Sequence, residues 1–580
     1  MHSAFILLFT YFSTMKLLSY NWLTKELLNW HNCSMALLVI VNLVIRGWSN
    51  DSIALSRDEP FTVYFSQFRL SELLPLILDE ANANTYAFEV ILHYWSAFFG
   101  SSIKTLRWLP TIIMSFGAIP IYHLGKRIGG QIGAIMSSLL FLGSSFIMNV
   151  SHLDRPYCIL ITGSIFMVYL FIRLFETDAL RYQLLWVASA VLTCYTHHFG
   201  WLTIALLWFA LLGIKEFREK MLRKLTLSTT LVILLCLPIL VHFLHLISIT
   251  QAELESSHSS LNTQRFSLLI GEFLNGDSVT VTLATICLFV GSYLLYSRKT
   301  ATGIMLIGFS SFVLITLFHA YYKPLHSVGG VLLAALFLLS ISASILISRS
   351  KASPAKKLVI HWAILPLTIG FFLSGSIPLF VDRYMSFTIP AILLLVVLLL
   401  NEIPHRTIQI GAFGVLFTVY LASFCAAPKY YIDHRPAVEK FRDYHAQAEV
   451  SIVGPGYFDF DFVYYFDNEL FYNGALHMTD TLGKRISYDN SYVRFKEGMR
   501  RELRQHRIVV SNDSSTLQLD TLKLSRVAFF DGNLPLSYPN NGIFEYLERR
   551  FGPPQKMEDF SGLYRIYMFC AQPCPLGNSQ

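Results

Sequence analysis

Charged side chains are what this sequence has least of. Of 580 residues only 14% are Asp, Glu, Lys or Arg, against 54% hydrophobic, whereas a soluble domain carries about 25% charged residues. That deficit excludes an ordinary soluble globular protein of this size, and an intrinsically disordered chain with it. Cysteine is also scarce, eight in all, so a disulfide-built scaffold is excluded. Six of them (Cys33, Cys158, Cys194, Cys236, Cys287 and Cys425) lie in or beside apolar runs and read as small hydrophobes. Cys570 and Cys574 stand together in the tail with no second Cys/His pair near them. They make no metal set, and a small disulfide is expected there if the tail faces an oxidising compartment. Val453-Gly454-Pro455-Gly456 lacks the Gly-Lys-Ser/Thr ending of a phosphate loop. Nor is there an internal repeat, or the inverted pair of broken helices that many transporters show.

Aromatic residues, by contrast, are plentiful, with 46 Phe and 29 Tyr, as in chains that fill bilayer cores and interfaces. The net charge of +7 is unevenly spread. Residues 426–580 hold 19 acids and 18 bases, and the first 425 hold 19 acids and 27 bases. An excess of Lys and Arg confined to the apolar part marks cytoplasmic loops and is no sign of a nucleic-acid partner. These features describe a polytopic α-helical membrane protein with a water-soluble tail.

Spans of about 20 apolar residues are expected near 34–47, 108–125, 131–150, 156–173, 183–198, 199–214, 225–247, 279–296, 303–321, 328–347, 359–380, 385–400 and 407–425, about thirteen in all. With a cytoplasmic N-terminus, the inner segments collect 18 Lys and Arg and the outer segments 9, the bias expected of a correctly oriented chain. The expected organisation is an N-terminal cytoplasmic or interfacial segment (1–33), a transmembrane domain (34–425) with a long first outer loop (48–107), and an extracytoplasmic α/β domain (426–580). Within the loop, Tyr86–Gly100 places Glu89, His93, Ser96 and Gly100 on one stripe, the pattern of a helix lying in the interface. In the tail, Val450–Val453, Arg507–Ser511 and Arg526–Asp531 read as strands, and Ser491–Gln505 and Ile543–Phe551 as helices. The aromatic run Tyr457–Tyr465 is expected to be a half-buried strand, with a sugar-contacting surface as the alternative.

Two outer clusters can carry chemistry: Arg57-Asp58-Glu59-Pro60 after the first span, and His152-Leu153-Asp154-Arg155-Pro156-Tyr157 between the third and fourth. Each alone reads as an interfacial ion pair, Asp58 with Arg57 or Asp154 with Arg155. Together they make a site, because ionisable groups near membrane depth are costly. One carboxylate can take a proton from an acceptor hydroxyl, and arginines can hold a lipid phosphate bidentately. His197 and His198, at a turn between spans, read first as structural. A divalent cation on Asp58, Asp154 and His197 is the alternative; no other cofactor is expected.

Asp58-Glu59 followed by Leu92-His93-Tyr94-Trp95 resembles the first outer loop of GT-C glycosyltransferases, the nearest type being the protein-mannosyltransferase/aminoarabinose-transferase-like family. Ile121-Tyr122-His123-Leu124-Gly125-Lys126-Arg127, Asp154-Arg155-Pro156-Tyr157, Tyr195-Thr196-His197-His198-Phe199-Gly200 and Asp382-Arg383-Tyr384 are similar to later family segments in the same order. The resemblance spans roughly 34–425. It implies a GT-C fold and transfer of a sugar from a polyprenyl-phosphate donor to a lipid, glycan or protein acceptor outside the cytoplasm. It further implies Asp58 as base or cation ligand, Glu59 as its usual neighbour and Asp154 as the second acidic position, and Arg383 on the donor phosphate; the catalytic set expected is Asp58 to deprotonate the acceptor with Glu59 and Asp154 to position it. Arg155 and, by its outer position, Lys323 are further phosphate candidates. A bacterial inner membrane is the expected location. A flippase or exporter of lipid-linked sugar is the competing expectation; it predicts charges along the spans, whereas here the acids gather at one face.

Overall fold

The computed structural model describes residues 30–48, 54–55, 58–68, 87–241, 269–296, 352–373, 381–403, 405–426, 433–456, 459–474, 500–517, 519, 524–537, 540–560 and 562–571. Helices stand over the expected spans wherever these residues reach, because a backbone in hydrocarbon must satisfy its own hydrogen bonds. In chain order they are α1 (Trp30–Gly47), α2 (Glu59–Phe65), α3 (Ala87–Phe99), α4 (Ile103–Phe116), α5 (Ala118–Leu142), α6 (Ser145–Ser151), α7 (Tyr157–Thr177), α8 (Leu180–Thr196), α9 (Gly200–Gly213), α10 (Lys215–Leu235), α11 (Asp277–Tyr296), α12 (Pro354–Leu373), α13 (Asp382–Asn401) and α14 (Arg406–Ala426). The expected spans at 303–321 and 328–347, and Lys323 between them, lie outside the described residues. Among the described residues four helices are each long and apolar enough to cross a membrane, and a bent pair, 103–142 with α6, makes a fifth candidate.

The outward faces of these helices are apolar. Leu37 and Val44 of α1, Phe209 and Leu212 of α9 and Val415 of α14 are all exposed, the reverse of a soluble bundle and the pattern of a lipid-facing one. Helix α13 lies at the centre, its residues 389–400 buried throughout. Helix α10 starts at Lys215, ten residues before the expected span at 225. Its charged first turns continue the helix, with Glu216 bonded to Lys357 of α12 at 3.0 Å. Arg127–Glu176 at 2.7 Å and Lys356–Glu402 at 3.6 Å add ion pairs among the bases assigned to the inner side.

Within α5 the chain reverses at Gly129-Gly130. Gly130 takes φ 63°, ψ −154°, a region open only to glycine, and the two arms lie against each other. Ser137 Oγ donates to the Ile121 carbonyl at 3.3 Å and Gln131 Nε2 to Tyr122 Oη at 3.0 Å. A Cβ on Gly125 would stand 2.6 Å from the Gly133 carbonyl oxygen. Gly125→Val is therefore expected to destabilise the protein by roughly 1–3 kcal/mol through overpacking. A lowered thermal midpoint in detergent checks this; an unchanged midpoint would contradict the close approach.

The tail forms a five-stranded sheet. After helix α15 (Arg435–Gln447) come β1 (Val450–Gly454), α16 (Asp459–Phe466), α17 (Asn468–Gly474), β2 (Ile508–Val510), β3 (Arg526–Asp531), α18 (Ile543–Phe551), β4 (Lys556–Phe560) and β5 (Tyr564–Cys570). The strand order is β2-β1-β3-β5-β4, with β1 parallel to β2 and β3, and β5 antiparallel to both β3 and β4. Alternation along the strands feeds two cores. Phe530, Ile566 and Met568 share one with Val438 and Phe441 of α15, while Val527, Phe529 and Phe569 share the other with Ile543 and Leu547 of α18. The expected strands at 450–453, 507–511 and 526–531 and the helix at 543–551 are all present. Of the expected helix at 491–505, the described residues 500–505 are helical, and Cys574 lies outside the described residues.

The run Tyr457–Tyr465, expected to be a strand, is instead largely helix α16. Its aromatics at 460, 462, 464 and 466 look like a two-residue period. They are two interleaved i, i+4 pairs: Phe460 and Tyr464 meet Tyr64 and Phe471, while Phe462 and Phe466 meet Phe441. A helix covered on two sides by different bodies mimics strand alternation.

Candidate active site

Three segments far apart in sequence converge at one end of the bundle. Asp58 sits just before α2, where Pro60 fixes the first turn. The 152–156 turn joins α6 to α7, and Asp382-Arg383 opens the central α13. Arg383 Nη1 donates to Asp58 Oδ2 at 3.1 Å. Arg155 Nη2 lies 3.8 Å from the same oxygen, and its Nη1 donates to the Asp58 carbonyl at 3.2 Å and to Thr62 Oγ1 at 2.7 Å. The Asp58 carboxylate is half exposed, at 50%, and borders a cavity of about 280 Å³. Arg155, Tyr157, Asp382 and Arg383 give this cavity polar walls, and Phe146, Val150, Leu153 and Val381 give it apolar ones. The pairing expected of Asp154 with Arg155 does not form, since Arg155 turns to Asp58 instead; Arg57, the expected partner of Asp58, lies outside the described residues.

Glu59 is buried at the edge of this cavity and Asp154 lies behind it. Glu59, 1% exposed, accepts from Arg107 Nη1 at 2.9 Å and Nη2 at 3.2 Å and from the Asp154 amide at 2.9 Å. Arg107 also donates to the Ala54 carbonyl. Asp154 is fully buried, and among the described residues neither of its carboxyl oxygens has a hydrogen-bond partner. Burial pushes its pKa well above the usual carboxylate range, opposed by the Arg107 charge and reinforced by Glu59. Asp58, Arg155 and Arg383 thus face the cavity, whereas Asp154 does not line it.

Helix α3 is present where the interfacial helix is expected, but its polar stripe turns inward. Glu89 accepts from Thr62 Oγ1 at 3.5 Å and His93 Nδ1 pairs with the Ser66 carbonyl at 2.8 Å, while Tyr94, Phe98 and Phe99 are exposed. Burial raises the Glu89 pKa against the pull of Arg155. His197 Nδ1 accepts from the Phe199 amide at 3.1 Å, and its ring packs 5.6 Å from those of Tyr157 and Tyr384. It is therefore a backbone-bonded imidazole packed among rings, in keeping with a structural role. Among the described residues no three His, Cys, Asp or Glu side chains gather as metal ligands, so Asp58, Asp154 and His197 do not assemble into the alternative cation site. Arg107 and Thr62 are the residues that sequence reasoning passed over. The available signal was an arginine inside the apolar helix Ile103–Phe116, a costly placement unless it is paired.

Residues 86–242 match the family model described as dolichyl-phosphate-mannose-protein mannosyltransferase. Among solved structures, the Archaeoglobus fulgidus oligosaccharyltransferase is similar at TM-score 0.44 and 10% identity, over 85% of this chain and 67% of that one. ArnT from Cupriavidus metallidurans, solved with undecaprenyl phosphate, is similar at TM-score 0.40 and 14% identity, over 94% and 99%. No curated protein matches the chain. The segment that brings Asp154 and Arg155 to the site therefore matches the model of the protein-mannosyltransferase family that the sequence motifs resemble.

Proposed function

We propose that the protein is an integral-membrane glycosyltransferase that moves a sugar from a polyprenyl-phosphate donor to an acceptor hydroxyl on the extracytoplasmic face. The observation that carries this reading is one half-exposed carboxylate, Asp58, held between Arg155 and Arg383 at a cavity with both polar and apolar walls. The family match over 86–242 supports the reaction class.

Asp58 takes the proton of the acceptor hydroxyl as that oxygen attacks the anomeric carbon. The bond from that carbon to the phosphate oxygen breaks, and the new glycosidic bond forms in its place. Polyprenyl phosphate leaves with the bonding electron pair, its negative charge met by Arg155 and Arg383. Phe146, Val150, Leu153 and Val381 suit the first isoprene units of the lipid. Arg383 remains 41% exposed, open to a phosphate, while Thr62 and the Asp58 carbonyl hold Arg155 in place. Lys323, outside the described residues, is proposed as a further phosphate contact on its expected outer position alone. Glu59 fixes the loop and the turn, through Arg107 and the Asp154 amide. The acceptor is a lipid, a glycan or a protein.

The donor class is tested by titrating purified protein in detergent with a polyprenyl phosphate. Wild type should bind it saturably, and Arg383→Ala should bind about tenfold or more weakly, the usual effect of losing a charge-assisted bond. Absence of saturable binding to the wild type would refute the donor assignment.

A further inference from the structure

The tail domain reaches the first outer loop through helices α16 and α17 and through the hydroxyl of Tyr465. Phe460 of α16 packs 5.6 Å from Phe61, 5.2 Å from Tyr64 and 6.4 Å from Phe65, ring centre to ring centre. Phe471 of α17 adds a contact to Tyr64 at 5.4 Å. All three partner rings lie on α2, the helix that begins one residue after Asp58. Beside this seam Tyr465 Oη donates to the Leu55 carbonyl at 2.7 Å. The preceding carbonyl, Ala54, is held from the opposite side by Arg107 of α4. Two successive carbonyls of the chain leading to Asp58 are therefore fixed, one from the bundle and one from the tail. The Tyr465 end is itself anchored, since Arg442 of α15 donates to the carbonyls of Tyr465 and Phe466 at 2.8 and 2.9 Å.

We infer that the tail domain is a working part of the transferase centre, with Tyr465 as a positioning residue that sets the backbone carrying Asp58. This inference rests on the transferase reading and deepens it, because it gives the tail a role in every turnover, whatever the acceptor. A tail that served only to recognise acceptors would have no need to hold Leu55. The aromatic seam supplies contact area, and the tyrosine supplies register, since one hydroxyl bonds one carbonyl in one geometry.

Tyr465→Phe removes the hydroxyl and keeps the ring. Two quantities are read on the full-length protein: steady-state release of polyprenyl phosphate from a polyprenyl-phosphate sugar, and backbone hydrogen exchange over residues 54–65. The expected result is a fall in kcat of roughly fivefold or more, an unchanged donor KM, and faster exchange confined to that loop. Phe460→Leu, which loosens the seam without touching a polar atom, should do the same and serves if the first variant fails to fold. Wild-type kcat, or wild-type exchange over 54–65, in a folded variant overturns the inference. If the wild type itself releases no lipid phosphate, it is the transferase reading that fails, and the exchange measurement still decides whether the clamp exists.

Discussion

Asp58→Asn is expected to lower turnover by about 10²–10⁴-fold, the usual contribution of a positioned general base. Asn keeps the size of the side chain and can still accept a hydrogen bond from Arg383, so the fold and the cavity should survive. What it loses is the capacity to hold the acceptor's proton. Binding of polyprenyl phosphate should be unchanged or somewhat tighter, because removing the carboxylate frees both guanidiniums that now face it. The measurement is steady-state release at saturating donor, beside the binding titration. A variant with wild-type turnover would remove Asp58 from the chemistry and leave it as an ion-pair partner only.

Arg107→Met carries the other large effect, and it falls on stability. Arg107 is fully buried, and its two nitrogens close on both oxygens of Glu59. Taking away the cation leaves Glu59 buried and uncompensated beside Asp154. Removing one partner of such a pair costs about 3–5 kcal/mol, a large share of the stability of most folds. Glu59→Gln combined with Arg107→Met should recover part of the loss, since no isolated charge then remains. Denaturation midpoints in detergent for wild type, the single variant and the double variant check this. An Arg107→Met protein as stable as wild type would contradict the paired, buried geometry.

Much of the site was legible in the sequence. Acids and arginines at the outer ends of apolar runs are costly enough to mark themselves, and Asp58, Arg155 and Arg383 come together although 325 residues separate the first from the last. Strands such as Arg526–Asp531 were legible because each of their two faces is buried in its own core. The partnerships were not. Nothing local ties Arg107 to Glu59, 48 positions away, or turns Arg155 away from its neighbour Asp154. Those choices are made by how α2, α4 and the 152–156 turn pack. The aromatic run at 457–465 misled for the same reason, since its period reports two covering bodies rather than one pleated face. Tyr465, reaching 410 positions back to Leu55, left no trace in its own surroundings.

The most direct test of the central claim uses purified wild-type protein and a panel of synthetic polyprenyl-phosphate sugars labelled in both sugar and lipid. The account predicts that with at least one donor the two labels separate, one free polyprenyl phosphate appearing per sugar released or transferred, and that Asp58→Asn abolishes nearly all of it. Labels that stay joined across the whole panel, with a folded protein that moves the intact donor between the leaflets of a vesicle, would contradict the account and make the protein a carrier of lipid-linked sugar.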